Sequence, residues 1–157
     1  MLLLIEPTKG IPVMYVIMGI TGQVGSVVGR ILLKTAQQFR AAVRDAAKGQ
    51  AWASRGCEVE LANIDDTESL TAAFREAGGV FVSVPPNFDP SPEFSEARAT
   101  AISLLASLEA AHPERVVYLS KIGVQASQFN MLPMHTIIEK AIGELPMPIA
   151  LERPACL

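Results

Sequence analysis

The chain has 157 residues, of which half are hydrophobic and 18% are charged, and its formal net charge is −3. This length suits one domain with a buried core, and so low a charge content argues against a disordered chain. The negative balance and the scattered basic residues exclude a basic stripe for phosphate contacts, so no nucleic-acid partner is expected.

Targeting, membrane and cross-linking signals are weak in this sequence. The apolar segment at residues 2–5 is far shorter than a signal-peptide core or a membrane span, which predicts a cytoplasmic protein without a membrane partner. Cys57 and Cys156 are too few and too far apart to indicate a disulfide framework or a metal site, so no metal is expected. The regular pattern begins after residue 12. We therefore expect an appendage at 1–12 and one domain over 13–157.

Short apolar runs alternate with helical patterns along the chain, as they do in stacked βαβ units. Each of these runs has the length and composition of a buried strand and is bounded by turn-forming residues. The predicted strands lie at residues 13–18, 39–43, 59–62, 80–84, 115–120 and 147–151.

The segments between these runs have the apolar spacing of helices. Asp65 followed by Glu68 resembles a capping box at the start of the third helix. Strands that alternate with helices through short connections must be parallel, with right-handed crossovers. We therefore predict an α/β fold, a Rossmann-type doubly wound parallel sheet of about six strands in the order 3-2-1-4-5-6. The first predicted helix begins at Gln23. The other four cover 46–54, 70–77, 94–108 and 137–145.

The turn between the first strand and the first helix carries the strongest local motif, Gly19, Gly22 and Gly25. Gly19 lets the chain turn sharply, Gly22 lets the backbone approach a pyrophosphate, and Gly25 lets the helix pack close to the strand. The helix N-terminus presents free N–H groups and a partial positive charge to the phosphates. The motif predicts a bound dinucleotide, although three glycines in a tight turn can also be purely structural.

The end of the second strand is the position that reads the ribose of such a ligand, and it carries Arg44 followed by Asp45. An acidic residue there holds the ribose 2′-OH, whereas an arginine accommodates a 2′-phosphate. Because Arg44 comes first, we expect NADP(H) to be preferred over NAD(H). A strand that ends one residue later would put Asp45 in that place, and Arg44 could also be a solvated loop residue.

Taken together, these segments resemble the NmrA-like branch of the atypical short-chain dehydrogenases/reductases, and within it the NADPH-dependent quinone reductases. The resemblance runs from about Val13 to the C-terminus and rests on the combination of motifs. The segments that carry it are 19–25, 42–45, 82–86, 116–120, His135 with Glu139 and Lys140, and 151–154.

The resemblance implies a position for each part of the cofactor. It places the 2′-phosphate near Arg44 and the adenine near Asn63 and Ile64, where relatives usually have an aspartate, so Asn63 is a departure. Three residues would border the nicotinamide ribose: Ser83, Val84 and Pro85. The phosphates would lie on Thr21, Gly22, Gln23 and Val24.

Catalytic residues are less clear, because the Tyr-x-x-x-Lys dyad of standard short-chain dehydrogenases is absent. His135 and Glu139 occupy the two positions, and Ser120 or Lys121 lies near the family's serine. A His-Glu pair one helical turn apart could tune the imidazole as a proton donor; otherwise it is a surface pair that orients a loop. The chain's two tyrosines lie within predicted strands and are not expected to replace the missing one: Tyr15 and Tyr118.

Three functions are open at this point. The first is an NADPH-dependent reductase of quinone-like or other carbonyl substrates, the second a non-catalytic NADP-sensing regulator, and the third a fragment without activity. The family's substrate-covering segments follow the Arg153-Pro154 pair, so this chain is expected to lack most of that part. The uncovered surface predicts a homodimer.

Overall fold

The computed structural model of the chain describes residues 13–124 and 133–155, which contain six strands and five helices. The strands are β1 (Tyr15–Met18), β2 (Phe39–Val43), β3 (Glu58–Leu61), β4 (Gly79–Ser83), β5 (Val116–Leu119) and β6 (Ile149–Glu152). The helices are α1 (Gln23–Lys34), α2 (Ala46–Ala53), α3 (Thr67–Phe74), α4 (Ser95–Ala111) and α5 (Pro133–Ile142).

All strand pairs are parallel, and the sheet order is β3-β2-β1-β4-β5-β6. The predicted doubly wound Rossmann-type fold is therefore confirmed. β1 lies between β2 and β4, so that Met18 is in register with Ala42 on one side and Val82 on the other. The strand order reverses at this point, and α/β sheets of this type bind ligands at the carboxyl ends of the strands around the reversal.

Alternate residues of each strand point to opposite faces of the sheet, because the side-chain period of a strand is two. In β1, Tyr15 and Ile17 pack in one core with residues of α1 and α2, whereas Val16 and Met18 pack in the other with residues of α3, α4 and α5. Because helices cover both faces of the sheet, the strands are apolar runs in which polar residues do not alternate.

Several element boundaries differ by one to four residues from the sequence-based predictions. α3 ends at Phe74, since Glu76 takes a positive φ of 60°, and Ala77 is buried just beyond the helix. Its N-cap is Asp66 rather than the predicted Asp65, and the Asp66 carboxylate accepts hydrogen bonds from two backbone N–H groups of the first turn. The predicted appendage at 1–12 lies outside the described residues.

In 13–124 and 133–155, no helix is long and apolar enough to cross a membrane.

Candidate functional site

A cleft of about 750 Å³ opens at the carboxyl ends of β1 to β5. It starts at the β1–α1 turn, passes the ends of β2 and β3, and ends between β4, β5 and the first turn of α5. The cleft wall includes Thr21–Val24, Arg44, Ile64, Ser83–Pro85, Ser120–Lys121 and His135.

The β1–α1 turn is built by its glycines. Gly19 has a φ of +84°, and a Cβ atom placed on it would lie 2.8 Å from both the Cβ and the carbonyl oxygen of Ser83. A Cβ atom on Gly25 would overlap the carbonyl group of Gly19. The N–H of Gly22 donates to the carbonyl oxygen of Gly19 over 3.0 Å and closes the turn. Side chains are thus excluded at Gly19 and Gly25, which bring α1 against the edge of the cleft.

The N-terminus of α1 is open, in contrast to those of α2 and α3. Its N-cap is Gly22, no side chain caps it, and its first turn contains no acidic residue. Asp45 caps α2 and Asp66 caps α3 through their carboxylates. Unpaired N–H groups with the positive end of the helix dipole therefore face the cleft only at α1 among these three helices, and such a terminus favours an anion.

The structure separates the two candidate residues at the end of β2. β2 ends at Val43, and the exposed Arg44 is in the wall of the cleft. Asp45 is not in that wall, and its Oδ1 accepts a hydrogen bond of 2.8 Å from the N–H of Ala47. The side chain that the cleft presents at this position is therefore a cation.

The residues expected near an adenine are divided in the same way. Ile64 lines the cleft, whereas Asn63 does not, and the Asn63 Oδ1 accepts a hydrogen bond of 3.3 Å from the N–H of Asp65. Ser83, Val84 and Pro85 all line the cleft at the end of β4. The structure thus brings together most of the expected cofactor-binding residues and leaves Asn63 and the packing residue Gly25 outside the wall.

His135 enters the far end of the cleft from the first turn of α5. It is buried, and its Nδ1 lies 2.7 Å from the hydroxyl oxygen of Tyr118, a fully buried residue of β5. Burial, together with the charge of Lys121, lowers the pKa of His135 to about 4, against an opposing effect of Glu139. Burial also raises the pKa of Tyr118. Both side chains are therefore neutral near pH 7.

Glu139 is paired with Arg153 of the chain after β6 rather than hydrogen-bonded to His135. The Arg153 guanidinium donates Nε–H to Oε1 over 3.0 Å and Nη2–H to Oε2 over 2.6 Å. Burial alone would raise the pKa of Glu139, but hydrogen bonds and the nearby positive charges lower it overall. A carboxylate held in this bidentate way orients α5 against β6.

Ser120 is buried at the end of β5, in the wall of the cleft. Its hydroxyl lies close enough to Glu139 to help lower the pKa of that carboxyl group, but its Oγ forms no hydrogen bond of good geometry within the described parts of the chain. A buried hydroxyl of this kind is costly to leave unpaired, and the Glu139 carboxylate is the acceptor within its reach.

Sequence reasoning placed Tyr118 in a strand and gave it no part in the site. It is on the same side of β5 as Val116 and packs with Ile138 of α5 in one core. The period of two along β5 could have placed Tyr118 on the α5 side of the sheet, but only the three-dimensional structure shows that it meets His135.

A dinucleotide fits this arrangement. The cleft has the volume of a cofactor site, an open helix N-terminus for a pyrophosphate, and an exposed guanidinium where a 2′-phosphate is expected. In the parts of the chain that the structure describes, no group of three or more His, Cys, Asp or Glu side chains could hold a metal ion.

Comparison with known proteins defines the class. A family model described as NAD(P)H-binding matches residues 19–144, which are most of the chain. The chain therefore belongs to this family of NAD(P)H-binding proteins.

Two relatives are named as an oxidoreductase and an azoreductase. Quinone oxidoreductase 2 of Escherichia coli is 29% identical over 133 residues, which are 83% of this chain and 44% of the relative. NAD(P)H azoreductase of Xenophilus azovorans is 36% identical over 72 residues, which are 46% of this chain and 25% of the relative. The resemblance to NmrA-like atypical reductases is confirmed, and the chain spans less than half the length of each of these two relatives.

Two solved structures of reductases have a fold similar to that of this chain. Triphenylmethane reductase of Citrobacter sp., in complex with NADP(H), superposes with a TM-score of 0.80 at 25% identity, over 90% of this chain and 49% of that one. The NADPH complex of the Escherichia coli quinone oxidoreductase gives a TM-score of 0.74 at 28% identity, over 88% and 48%.

Proposed function

We propose that the chain binds NADP(H) in preference to NAD(H) and reduces a quinone-like or other carbonyl acceptor. The observation that carries this proposal is the continuity of the cleft, which joins the open N-terminus of α1 and Arg44 at one end to His135 at the other. A single extended ligand with phosphates at one end and a reactive ring at the other matches this distribution of groups.

The preference for NADP(H) is supported by the different positions of the Arg44 and Asp45 side chains, of which only Arg44 lines the cleft. A ribose 2′-OH needs an acceptor, but the Asp45 carboxylate is engaged at the N-terminus of α2. Arg44 can offer a planar, permanently charged donor set, which suits a phosphate. The NADP(H)-bound and NADPH-bound relatives support the same preference.

The reaction requires positions for the nicotinamide and the acceptor. When bound, NADPH supplies a hydride to the acceptor. In our proposal Ser83–Pro85 border the nicotinamide ribose, and Ser120 and His135 contact the acceptor, because they line the end of the cleft beyond β4. The names of the relatives refer to quinones, azo compounds and triphenylmethane dyes, which contain conjugated systems, and this supports a planar conjugated acceptor here.

Titration of the purified chain with NADPH and NADH, followed by fluorescence, tests the cofactor preference. Arg44→Ala should weaken NADPH binding about 10-fold to 100-fold, since hydrogen bonds to charged groups contribute about 1.5–3 kcal/mol. It should leave NADH binding nearly unchanged. Asp45→Ala is the matched control, because it removes the α2 cap without touching the cleft, and it should bind NADPH as the unmodified chain does.

Equal weakening of NADPH and NADH by Arg44→Ala would contradict the 2′-phosphate assignment. Absence of binding of both nucleotides to the unmodified chain would mean that the glycine turn is only a scaffold here. The reductase activity itself is tested by NADPH consumption with a panel of quinones.

A second candidate function is supported by the neutral state of His135. A histidine that stays unprotonated near pH 7 is a poor proton donor, and the Tyr-x-x-x-Lys dyad is absent. A non-catalytic sensor of NADP would bind the nucleotide in the same cleft. Tight NADPH binding without turnover of any quinone would favour this candidate over the reductase.

We also propose a homodimer. Several large apolar side chains are exposed, among them Leu61, Phe88 and Ile102, and a second copy of the chain would cover part of this surface. Light scattering at high protein concentration should give twice the mass of the chain, and a monomer mass would contradict the proposal.

A further inference from the structure

The buried contact between Tyr118 and His135 determines which nitrogen of the imidazole carries the proton. A phenol hydroxyl has one proton to donate, and a buried donor without an acceptor is costly. His135 Nδ1, at 2.7 Å, is the hydrogen-bond partner of the Tyr118 hydroxyl in the described parts of the chain. If Nδ1 carried a proton and donated it, the hydroxyl proton would have no acceptor. The satisfied arrangement has Tyr118 donating to an unprotonated Nδ1.

A neutral imidazole whose Nδ1 is unprotonated carries its proton on Nε2. His135 lines the cleft, whereas Tyr118 does not. Because Nδ1 is turned toward Tyr118, the opposite edge of the ring, with Nε2, is the edge available to the cleft. In 13–124 and 133–155, Nε2 of His135 has no hydrogen-bond partner in the protein. Ser120 Oγ is the only side-chain nitrogen or oxygen atom there that is both buried and without a partner, so Nε2 is not buried and is open to the cleft.

We propose that Tyr118 is a positioning residue, which fixes His135 in the Nε2–H tautomer and thereby presents a neutral hydrogen-bond donor to the ligand at the end of the cleft. This inference deepens the proposed function. If the chain is a reductase, the Nε2–H group donates to the acceptor oxygen and stabilises the negative charge that develops there as the hydride arrives.

In this arrangement His135 polarises the acceptor and is not its source of protons. The pKa of His135 lies far below neutrality and the pKa of Tyr118 is raised, so neither group gives up a proton near pH 7. The acceptor oxygen therefore takes its proton from solvent water. A neutral histidine that acts as an electrophile has a known precedent in enzyme catalysis.

Nitrogen-15 NMR of the histidine-labelled chain tests the tautomer without substrate or cofactor. The chain has two histidines, and the exposed His112 after α4 serves as the internal reference. We expect a pyridine-like resonance for Nδ1 of His135 and a pyrrole-like resonance for Nε2. A pyrrole-like Nδ1 in the unmodified chain would overturn the proposal.

Tyr118→Phe keeps the ring and removes the hydroxyl, so Nδ1 loses its donor and the Nε2–H tautomer should no longer be fixed. Tyr15→Phe is the matched control, since Tyr15 is a buried strand tyrosine that packs in the other core. It should leave both nitrogen resonances of His135 in place. An unchanged tautomer in Tyr118→Phe would also overturn the proposal, and if this variant does not fold, the resonances of the unmodified chain decide.

Addition of NADP+ and a quinone panel separates this inference from the proposed function. Saturation with NADP+ should shift the Nε2 resonance of His135 and leave His112 unchanged; bound NADP+ without that shift would contradict the cleft-facing Nε2. With an active chain, Tyr118→Phe should lower kcat about tenfold, the scale of one misdirected hydrogen bond, at an unchanged KM for NADPH. No turnover with a fixed Nε2–H tautomer would refute the reductase and leave the tautomer assignment standing.

Discussion

The two ends of the cleft are built in different ways. At the β1–α1 turn the chain uses its backbone: Gly19 and Gly25 remove side chains so that N–H groups can reach the ligand. At the β5–α5 end it uses side chains from separate elements, and Tyr118 supports the His135 that lines the wall. The first end is specified by local sequence, whereas the second requires β5 and α5 to be packed together.

This contrast predicts different sensitivities. The β1–α1 turn, residues 19–25, carries no titratable side chain, so it should tolerate changes of pH but not an added carbon atom. The side-chain-built end includes a buried histidine, so it should respond to protonation.

Gly25→Ala should have the largest effect on stability. Its Cβ atom would overlap the carbonyl group of Gly19, which is backbone and cannot move aside as a flexible side chain can. We expect the free energy of unfolding in urea to fall by about 2–3 kcal/mol, the upper part of the range for overpacking.

The control for this change is Gly56→Ala. Gly56 has a positive φ of +90°, which Gly25 does not have, and nothing lies within 4 Å of the added Cβ. Its cost should be that of the backbone conformation alone, about 1 kcal/mol. Equal losses in the two variants would mean that the close approach of α1 to the β1–α1 turn is not what requires a glycine.

Protonation of His135 should lower the free energy of unfolding by less, per pH unit, than Gly25→Ala does. Its pKa in the folded chain, about 4, lies below the ordinary value of 6.5, so the unfolded chain binds more protons between these values. The stability that neutral His135 contributes is complete above about pH 6.5 and is lost as the pH falls toward 4. Near pH 5.5 one such proton should lower the free energy of unfolding by about 1 kcal/mol per pH unit.

Urea unfolding at several pH values, in the unmodified chain and in His135→Gln, isolates this contribution. The variant should show a shallower loss between pH 6.5 and 4.5, whatever its stability at neutral pH. Parallel pH profiles for the two chains would be incompatible with a histidine that is buried in its neutral form.

Structural features that depend on residues close together in the chain could be predicted from the sequence, whereas features that depend on the folded structure could not. The strand order followed from the alternation of apolar runs and helices, and the glycine turn from three residues in a row of seven. The N-cap of α3 was displaced by one residue, because Asp65 and Asp66 are equally suited and only the folded turn selects Asp66. Periodicity cannot resolve a choice of that kind.

The partners of the polar side chains near α5 could not be predicted, since each depends on contacts between elements. Spacing on the helix suggested that Glu139 tunes His135, but the strongest partner of Glu139 is Arg153 and that of His135 is Tyr118. Residues 14 and 17 positions away along the chain supply these partners. Local spacing identified the residues of the site but not their pairing.

The central claim is that one NADP(H) molecule spans both ends of the cleft, and a crystal structure of the chain with NADP+ tests it most directly. We expect the pyrophosphate on the N–H groups at the start of α1, the 2′-phosphate at Arg44, and the nicotinamide between Ser83–Pro85 and His135. A pyrophosphate away from α1, or a nicotinamide that does not reach the β5–α5 end, would contradict it.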